Sequence, residues 1–120
     1  MDTDDAIESL SALAHPGRLA VFRLLVQAGT EGMPAGEIAR AFNTPANTMS
    51  TQLAILTRAG LIRSRRASRS VIYSADYGEV AGLLGFLMQD CCQGRPEVCA
   101  PVLQAASCCA PNTTAKETTS

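Results

Sequence analysis

The stretch "NTMSTQLAILTRAGLIRSRRASRSVIYSA", residues 47–75, combines two different periodicities and decides the fold. Its first half places Met49, Leu53 and Leu56 at helical spacing, and Gly60 is a natural point for a helix to end. Its second half contains two β-patterned runs, "LIRSRR" and "SVIYSA", joined by the short, polar and basic link "ASR". This order predicts a helix followed directly by a β-hairpin.

Four further helices are predicted around this stretch. Upstream lie "TDDAIESLSALAHP", with Thr3 or Asp4 as its cap, "PGRLAVFRLLVQAG", which Gly29 ends, and "MPAGEIARAF". Downstream lies "DYGEVAGLLGFLMQDCC", which Gly94 and Pro96 prevent from continuing past about residue 93. The predicted inward-facing positions outside the opening stretch are Ile7, Leu10, Leu13 or Ala14, Leu19, Phe22, Leu25, Val26, Ile38, Ala39, Phe42, Val80, Leu83 or Leu84, Leu87 and Met88.

Two short helices joined by the turn "NTP" and followed by a basic hairpin predict a mainly α fold with a β-hairpin wing, a winged helix-turn-helix. In such a motif the helix after the turn usually lies in the major groove of DNA. Short polar side chains on it can form hydrogen bonds with base edges and phosphates. Arginines of the hairpin would follow the DNA backbone. The alternative is a helical domain whose polar face only meets water. The predicted DNA-binding residues are Asn47, Thr48, Ser50, Thr51, Gln52, Arg58, Arg65, Arg66 and Arg69.

Charge is distributed unevenly, although the formal net charge is only −1. Eight of the ten basic residues are arginines between Arg18 and Arg69, where only Glu31 and Glu37 oppose them, and no acid occurs between residues 38 and 75. A protein binds a polyanion with one face, so this segment favours a nucleic-acid partner. No apolar run could span a membrane, and the acidic N-terminus differs from a signal peptide. We therefore expect a soluble cytoplasmic protein with no membrane partner.

The segments "LAHPGRLAVFRLLVQAG", "GEIARAF" and "NTMSTQLAILTRAGLIRSRRASRSVIYS", with the helix that follows, closely resemble the ArsR family of metal- and metalloid-responsive repressors. The resemblance runs from about Leu10 to Cys99, and its most family-specific part is the "LxxLxxAGLIxSRRxxRxxxY" frame from Leu53 to Tyr73. It implies a homodimeric winged helix-turn-helix repressor of its own operon, in which the first and last helices form the dimer interface. It also implies that an inducer weakens binding to double-stranded operator DNA.

The stretch "DCCQGRPEVC", residues 90–99, contains three of the five cysteines. In a reducing cytoplasm such thiols indicate metal binding or redox sensing rather than a disulfide scaffold. The stretch looks like the subgroup of arsenite- and antimonite-responsive repressors whose site follows the last helix. That resemblance implies As(III) or Sb(III) as the inducer, held by Cys91, Cys92 and Cys99, with no organic cofactor. Cys108 and Cys109 would be an auxiliary pair, suited to a methylated arsenical, or tail residues without a role.

The donor chemistry agrees with a soft ion, because thiolates without imidazoles or clustered carboxylates select thiophilic metals. Pyramidal As(III) takes three sulfurs, whereas tetrahedral zinc would need one of the tail cysteines as well. A zinc- or cadmium-type sensor therefore stays open, and so does a redox sensor that joins Cys91 or Cys92 to Cys99. The only histidine, His15, is interpreted as a structural residue.

Two other classes explain the cysteines less well. A thiol-dependent arsenate reductase needs an activated thiolate in an anion-binding loop, and only Arg95 lies near these cysteines in the sequence. A constitutive DNA-binding protein would leave them unexplained. We therefore expect residues 1–93 to form a DNA-binding and dimerisation domain and residues 94–109 to complete the metalloid site. Residues 110–120, "APNTTAKETTS", lack the apolar content to pack and are expected to form a disordered tail.

Overall fold

The computed structural model describes residues 2–88. In chain order the elements are α1 (Thr3–Leu13), α2 (Pro16–Ala28), β1 (Met33–Pro34), α3 (Ala35–Ala41), α4 (Ala46–Arg58), β2 (Ile62–Ala67), β3 (Ser70–Ala75) and α5 (Tyr77–Leu87). The predicted class, mainly α with a β-hairpin wing, is confirmed. Residues up to Phe86 belong to one compact unit. None of the helices within residues 2–88 combines the length and the apolar character that a membrane crossing requires.

Helix α1 begins with a reciprocal pair of side-chain caps. The Asp5 N–H donates to Asp2 Oδ1 at 2.9 Å, and the Asp2 N–H donates to Asp5 Oδ2 at 3.5 Å. This capping box satisfies backbone donors that the first turn of a helix leaves free. The predicted caps, Thr3 and Asp4, were wrong. Of the three candidates Asp2, Thr3 and Asp4, Asp2 alone has a carboxylate three residues later, that of Asp5, which can return the bond.

The buried face of α1 differs from the predicted one by one residue. The predicted inward positions Ile7 and Leu10 are 56% and 42% exposed. Both stripes have helical spacing, so periodicity alone does not choose between them. The choice is steric, because the Ser9 hydroxyl donates to the Ala59 carbonyl oxygen at 3.4 Å, an approach that a larger side chain would prevent. The residues that α1 buries are small: Ala6, Ser9 and Ala12.

Other apolar positions also face outward where inward positions were predicted. In α2 the buried residues are Val21, Phe22 and Leu25. In α5 the one fully buried residue among those described is Leu83. The predicted inward positions that are exposed instead are Leu19, Val26, Phe42 and Leu87. Each of these helices packs on the core along a stripe narrower than its apolar face, so apolar surface remains on its flank.

The core is built around α4, whose predicted inward residues Met49, Leu53 and Leu56 are all buried, as predicted. Full burial of one leucine side chain contributes roughly 1.5–3 kcal/mol to folding. The helix is therefore held firmly along one side, and its other side is left for solvent or a ligand. The largest fully buried apolar side chains are Val21, Leu25, Ile38, Leu53, Leu56 and Leu61.

The predicted hairpin is confirmed, and it belongs to a sheet of strand order β1-β3-β2. Strands β2 and β3 pair antiparallel, and the turn between them includes Ser68, with φ of 58°. The sequence did not predict β1, which pairs antiparallel with β3 through Met33 opposite Tyr73. Gly32, with φ of 73°, precedes β1, and a Cβ atom there would collide with the Tyr73 carbonyl oxygen. Glycine is therefore required for β1 to reach β3.

Candidate nucleic-acid interface

A tight turn between α3 and α4 sets the direction of α4, which is named the recognition helix from here on. Asn43 in this turn has a left-handed backbone with φ of 49°, a conformation that asparagine tolerates well. The Thr44 N–H donates to the Ala39 carbonyl oxygen at 2.9 Å, and the Asn43 N–H donates to that of Arg40 at 3.1 Å. These bonds fix the angle at which the recognition helix leaves α3.

The predicted contact residues of the recognition helix lie on its solvent side, with one exception. Asn47, Thr48, Ser50 and Thr51 are exposed. Asn47 Oδ1 accepts from the Thr48 N–H at 2.9 Å, so the Asn47 amide NH2 group remains free to donate. The Thr51 hydroxyl donates to the Asn47 carbonyl oxygen at 3.2 Å, which leaves its lone pairs free to accept. Such a surface offers both donors and acceptors to base edges and phosphates.

The exception is Gln52, which is half-buried and turned toward α2. Its Oε1 accepts from Arg18 Nη1 at 3.5 Å. Its Nε2 lies 3.4 Å from the position that a Cβ atom would take on Gly17. The prediction that Gln52 shares the solvent-facing surface of Asn47 is therefore corrected, because the Gln52 side chain is engaged within the domain.

Arg18 is a site residue that is not among those predicted from the sequence. Its Nε–H donates to the Ala12 carbonyl oxygen at 2.6 Å, and its Nη2 donates to that of Ser11 at 3.5 Å. Its Nη1 also donates to Gln52 Oε1, so one guanidinium joins the C-terminal end of α1 to the recognition helix. A cation at a helix C-terminus also interacts favourably with the helix dipole. Only the tertiary structure brings these groups together, so no local sequence signal could have indicated them.

His15 has a structural role, as predicted. Its Nδ1 accepts from the backbone N–H groups of Gly17 and Arg18 at 3.1 and 3.3 Å and so caps the start of α2. Pro16 follows at the first helical position, where its missing N–H costs nothing. Together these residues define the start of α2 and hence the position of Arg18.

The predicted arginines of the wing, Arg65, Arg66 and Arg69, are all exposed. Successive residues of a strand point to opposite faces, so Arg65 and Arg66 lie on different sides of the hairpin. Arg65 Nη2 donates to the Glu31 carbonyl oxygen at 3.0 Å, which holds its guanidinium near the root of the wing. Arg63, absent from the predicted set, is exposed on the same face as Arg65. The wing therefore presents arginines on both of its faces.

Arg58 lies in the last turn of the recognition helix and is exposed. It is at the opposite end of this helix from the turn, and its charge also complements the helix C-terminus. No acidic residue occurs from residue 38 to residue 75, so the recognition helix and the wing carry positive charge without compensation along the chain. Such a surface binds polyanions with an affinity that falls as salt rises.

The predicted metalloid ligands lie outside the described residues, as do the segments 94–109 and 110–120. Those ligands are Cys91, Cys92 and Cys99, with Cys108 and Cys109 as the auxiliary pair. Within residues 2–88 there is no group of three or more His, Cys, Asp or Glu side chains that could hold a metal ion.

A helix-turn-helix with a basic wing and an acid-free polar recognition helix defines the chain as a DNA-binding protein. Residues 13–65 match the family model for a helix-turn-helix domain. The HTH-type transcriptional regulator YgaV of Escherichia coli is 32% identical over 89 residues, which cover 74% of this chain and 88% of YgaV. The HTH-type transcriptional regulator NmtR of Mycobacterium tuberculosis is 37% identical over 76 residues, 63% of this chain and 61% of NmtR.

A solved structure agrees with these relatives. It is the homodimeric winged helix-turn-helix DNA-binding domain of Mb0332 from Mycobacterium bovis, a possible ArsR-family transcriptional regulator. The TM-score is 0.60 at 26% identity, over 78% of this chain and 84% of that one. The chain belongs to the ArsR/SmtB family of helix-turn-helix transcriptional regulators. It is a regulator and not an enzyme.

Proposed function

We propose that this regulator is a metalloid-responsive repressor of the cytoplasm. It binds a palindromic operator as a homodimer and leaves the operator when As(III) or Sb(III) binds to cysteine thiolates. The observation that carries the proposal is the sequence cluster of Cys91, Cys92 and Cys99, three thiols within nine residues that begin four residues after α5 ends at Leu87.

The chemistry of the donor set supports a trivalent metalloid. Three thiolates match the three sulfurs that pyramidal As(III) takes, and soft sulfur ligands discriminate against magnesium and calcium. In this proposal residues 94–109 complete the site by bringing Cys99 to Cys91 and Cys92, and residues 110–120 remain a tail. Cys108 and Cys109 are auxiliary and are not required for release.

Exposed apolar side chains on two helices support the homodimer. Ile7 and Leu10 on α1 and Leu84 on α5 are exposed although they are large and apolar. Exposed apolar patches commonly mark an interface, and in this proposal these side chains pack against the second copy of the chain. A two-fold dimer would present two recognition helices about 34–36 Å apart, the separation of successive major-groove faces in a palindromic operator.

Release of DNA requires only a modest coupling free energy between the thiolate site and the DNA-binding surface. A hundredfold loss of operator affinity corresponds to about 2.7 kcal/mol of coupling free energy. The thiols follow the helix that carries Leu84, so an ion that gathers them would change the end of a proposed interface helix. Linkage also requires that bound DNA weaken metalloid binding by the same factor.

The experiment is a titration of As(III) or Sb(III) into the reduced, full-length protein on a fluorescent fragment of its own promoter. The parent should lose about a hundredfold in affinity. Cys91→Ser, Cys92→Ser and Cys99→Ser should each bind the fragment but fail to release it. The matched control is the double variant Cys108→Ser, Cys109→Ser, which should release like the parent. Retention of the parent on DNA in saturating arsenite and antimonite would refute the proposal.

Two additional conditions distinguish the alternative sensors. Release by a thiol oxidant without metalloid, reversed by a reductant, would identify a redox sensor that uses a disulfide. Release by Zn²⁺ or Cd²⁺ that is lost in the tail-cysteine variant would identify a four-thiolate metal sensor. A promoter complex that responds to none of these agents would identify a constitutive DNA-binding protein.

A further inference from the structure

A cleft of about 410 Å³ lies at the root of the wing, where β2 and β3 meet the start of α5. We name it the wing-root cleft. Its lining includes two arginines, several hydroxyl-bearing residues and the first residues of α5. The lining residues that matter here are Thr30, Arg63, Arg65, Ser74, Asp76 and Gly78.

The register of the hairpin brings the basic and hydroxyl groups to the same face. Arg63 is paired with Ser74, and Arg65 with Ile72. Paired residues and alternate residues of antiparallel strands share a face, so Arg63, Arg65 and Ser74 lie together. The two arginines are about 7 Å apart along the strand. The bond from Arg65 Nη2 to the Glu31 carbonyl oxygen uses one of its five donors and holds the rest of the guanidinium in place.

Ser74 is the observation that indicates a ligand. Its side chain is only 8% exposed, and its hydroxyl makes no hydrogen bond with any group in residues 2–88. Gly32 covers it so closely that a Cβ atom there would lie 3.0 Å from Ser74 Cβ. Buried hydroxyl groups in folded proteins nearly always have a partner. An acceptor bound in the cleft would provide one.

The start of α5 adds backbone donors. Asp76 Oδ1 accepts from the Glu79 N–H at 3.1 Å, so one carboxylate oxygen is occupied in capping the helix. The Gly78 N–H belongs to the first turn, where backbone donors have no partner within the helix and the helix dipole favours an anion. The side chains of the cleft carry two positive charges and the one negative charge of Asp76.

We propose that the wing-root cleft binds an oxyanion of the phosphate type, through Arg63, Arg65, the Ser74 hydroxyl and the first turn of α5. Arginine suits such anions because its planar donors form paired, charge-assisted bonds with two oxygens. A hydroxyl and a helix N-terminus supply donors for the remaining oxygens. The phosphate group has two sources, a free phosphate ion or the backbone of bound DNA, and the experiment separates them.

The first arm uses inorganic phosphate and neither DNA nor metalloid, so its outcome is independent of the proposed inducer. Sodium phosphate is titrated against the 15N-labelled full-length protein at constant pH and ionic strength, with chloride as the balancing anion. The Gly78 amide should shift and saturate. Arg63→Gln should weaken phosphate binding at least tenfold. The matched control is Arg66→Gln, which removes the same charge from the opposite face of the same strand and should bind like the parent.

The second arm tests DNA as the source, with substitutions that change no charge. Ser74→Ala should weaken binding to a promoter fragment at least threefold, equally for different sequences, because a phosphate contact carries no base information. Ser11→Ala, on α1, is the control and should bind like the parent. The amide spectrum of each variant verifies that it is folded.

The combined outcomes decide the proposal. Saturable binding of free phosphate that depends on Arg63 but not on Arg66 supports a free oxyanion as the ligand. No saturation with phosphate, together with the Ser74→Ala effect on DNA, supports a backbone phosphate. The proposal is overturned if both arms are negative. It is also overturned if Arg63→Gln and Arg66→Gln weaken phosphate binding equally, since general positive charge would then explain the binding.

Discussion

Replacing Arg66 and Arg69 by glutamine should reduce the salt dependence of DNA binding by a calculable amount. Both side chains are exposed on the wing, and neither makes a side-chain hydrogen bond with another residue in the range 2–88. Arg65 differs, because it donates to the Glu31 carbonyl oxygen. The two free guanidiniums are therefore the best placed of the predicted wing residues to contact phosphates without breaking an internal bond.

The magnitude follows from counterion release. Each phosphate contact contributes about 0.9 to the slope of log affinity against log salt, so the loss of two contacts lowers the slope by about 1.8. A rise from about 50 to about 200 mM salt is a fourfold change, about 0.6 in log units, so the affinity ratio of parent to variant should fall about twelvefold over that range. The difference between the two proteins therefore shrinks as salt rises.

The assay is fluorescence anisotropy on a promoter fragment and on a scrambled fragment of equal length, at four salt concentrations. Both fragments should show the same loss of slope, since backbone contacts carry no sequence information. Arg23→Gln, which removes one charge from the exposed surface of α2, is the control and should leave the slope unchanged, whereas the loss of each wing arginine should lower it by about 0.9. An unaltered slope in the double variant would show that these two arginines do not contact the backbone. A loss of about 0.9 in Arg23→Gln would show that general positive charge, and not the wing, sets the slope.

Three further substitutions test the fold. Leu53→Ala, at a position with no exposed surface, should lower the free energy of unfolding by about 2–5 kcal/mol, measured by urea denaturation. The control Leu19→Ala, at a half-exposed position, should lower it far less. Equal losses in the two variants would contradict the core assignment. His15→Ala should destabilise the protein by up to about 1 kcal/mol, and asparagine at that position should restore most of the loss in the same measurement. Gly32→Ala should cost more than about 1 kcal/mol because of its φ of 73° and its collision with Tyr73, whereas Gly29→Ala, with φ of 81° but open space around it, should cost less.

The recognition helix and the wing were predictable because each follows from a local pattern. Met49, Leu53 and Leu56 recur at helical spacing, and all three are buried. The alternation at the start of "LIRSRR" and the β-branched and aromatic residues of "SVIYSA" predicted the hairpin, which pairs from Ile62 to Ala67 as a continuous ladder. Where one residue pattern admits a single periodicity, the sequence is sufficient to assign the element.

The parts that were not predictable depend on tertiary contacts. On α1, the apolar stripe of Ile7 and Leu10 was a valid helical pattern, but only small side chains fit where Ser9 meets Ala59. Strand β1 has two residues, too few for any periodicity, and it exists because Gly32 permits the approach to β3. In the same way, the bond from Arg18 to Gln52 and the isolation of the Ser74 hydroxyl depend on residues that are distant in the sequence.

The attachment of α1 to the recognition helix has a consequence for how a signal would travel. Ser9 bonds to Ala59 just after the recognition helix, and Arg18 ties the last carbonyls of α1 to Gln52 within it. Because hydrogen bonds join the two helices at two separate points, α1 and the recognition helix should move as one rigid body. A tilt of α1 would therefore tilt the recognition helix as well. An effector acting through α1 would thus change the span between the two DNA-contacting helices of a dimer and leave their helical content intact. Far-ultraviolet circular dichroism should then stay constant while a spin-label distance between the two copies shifts.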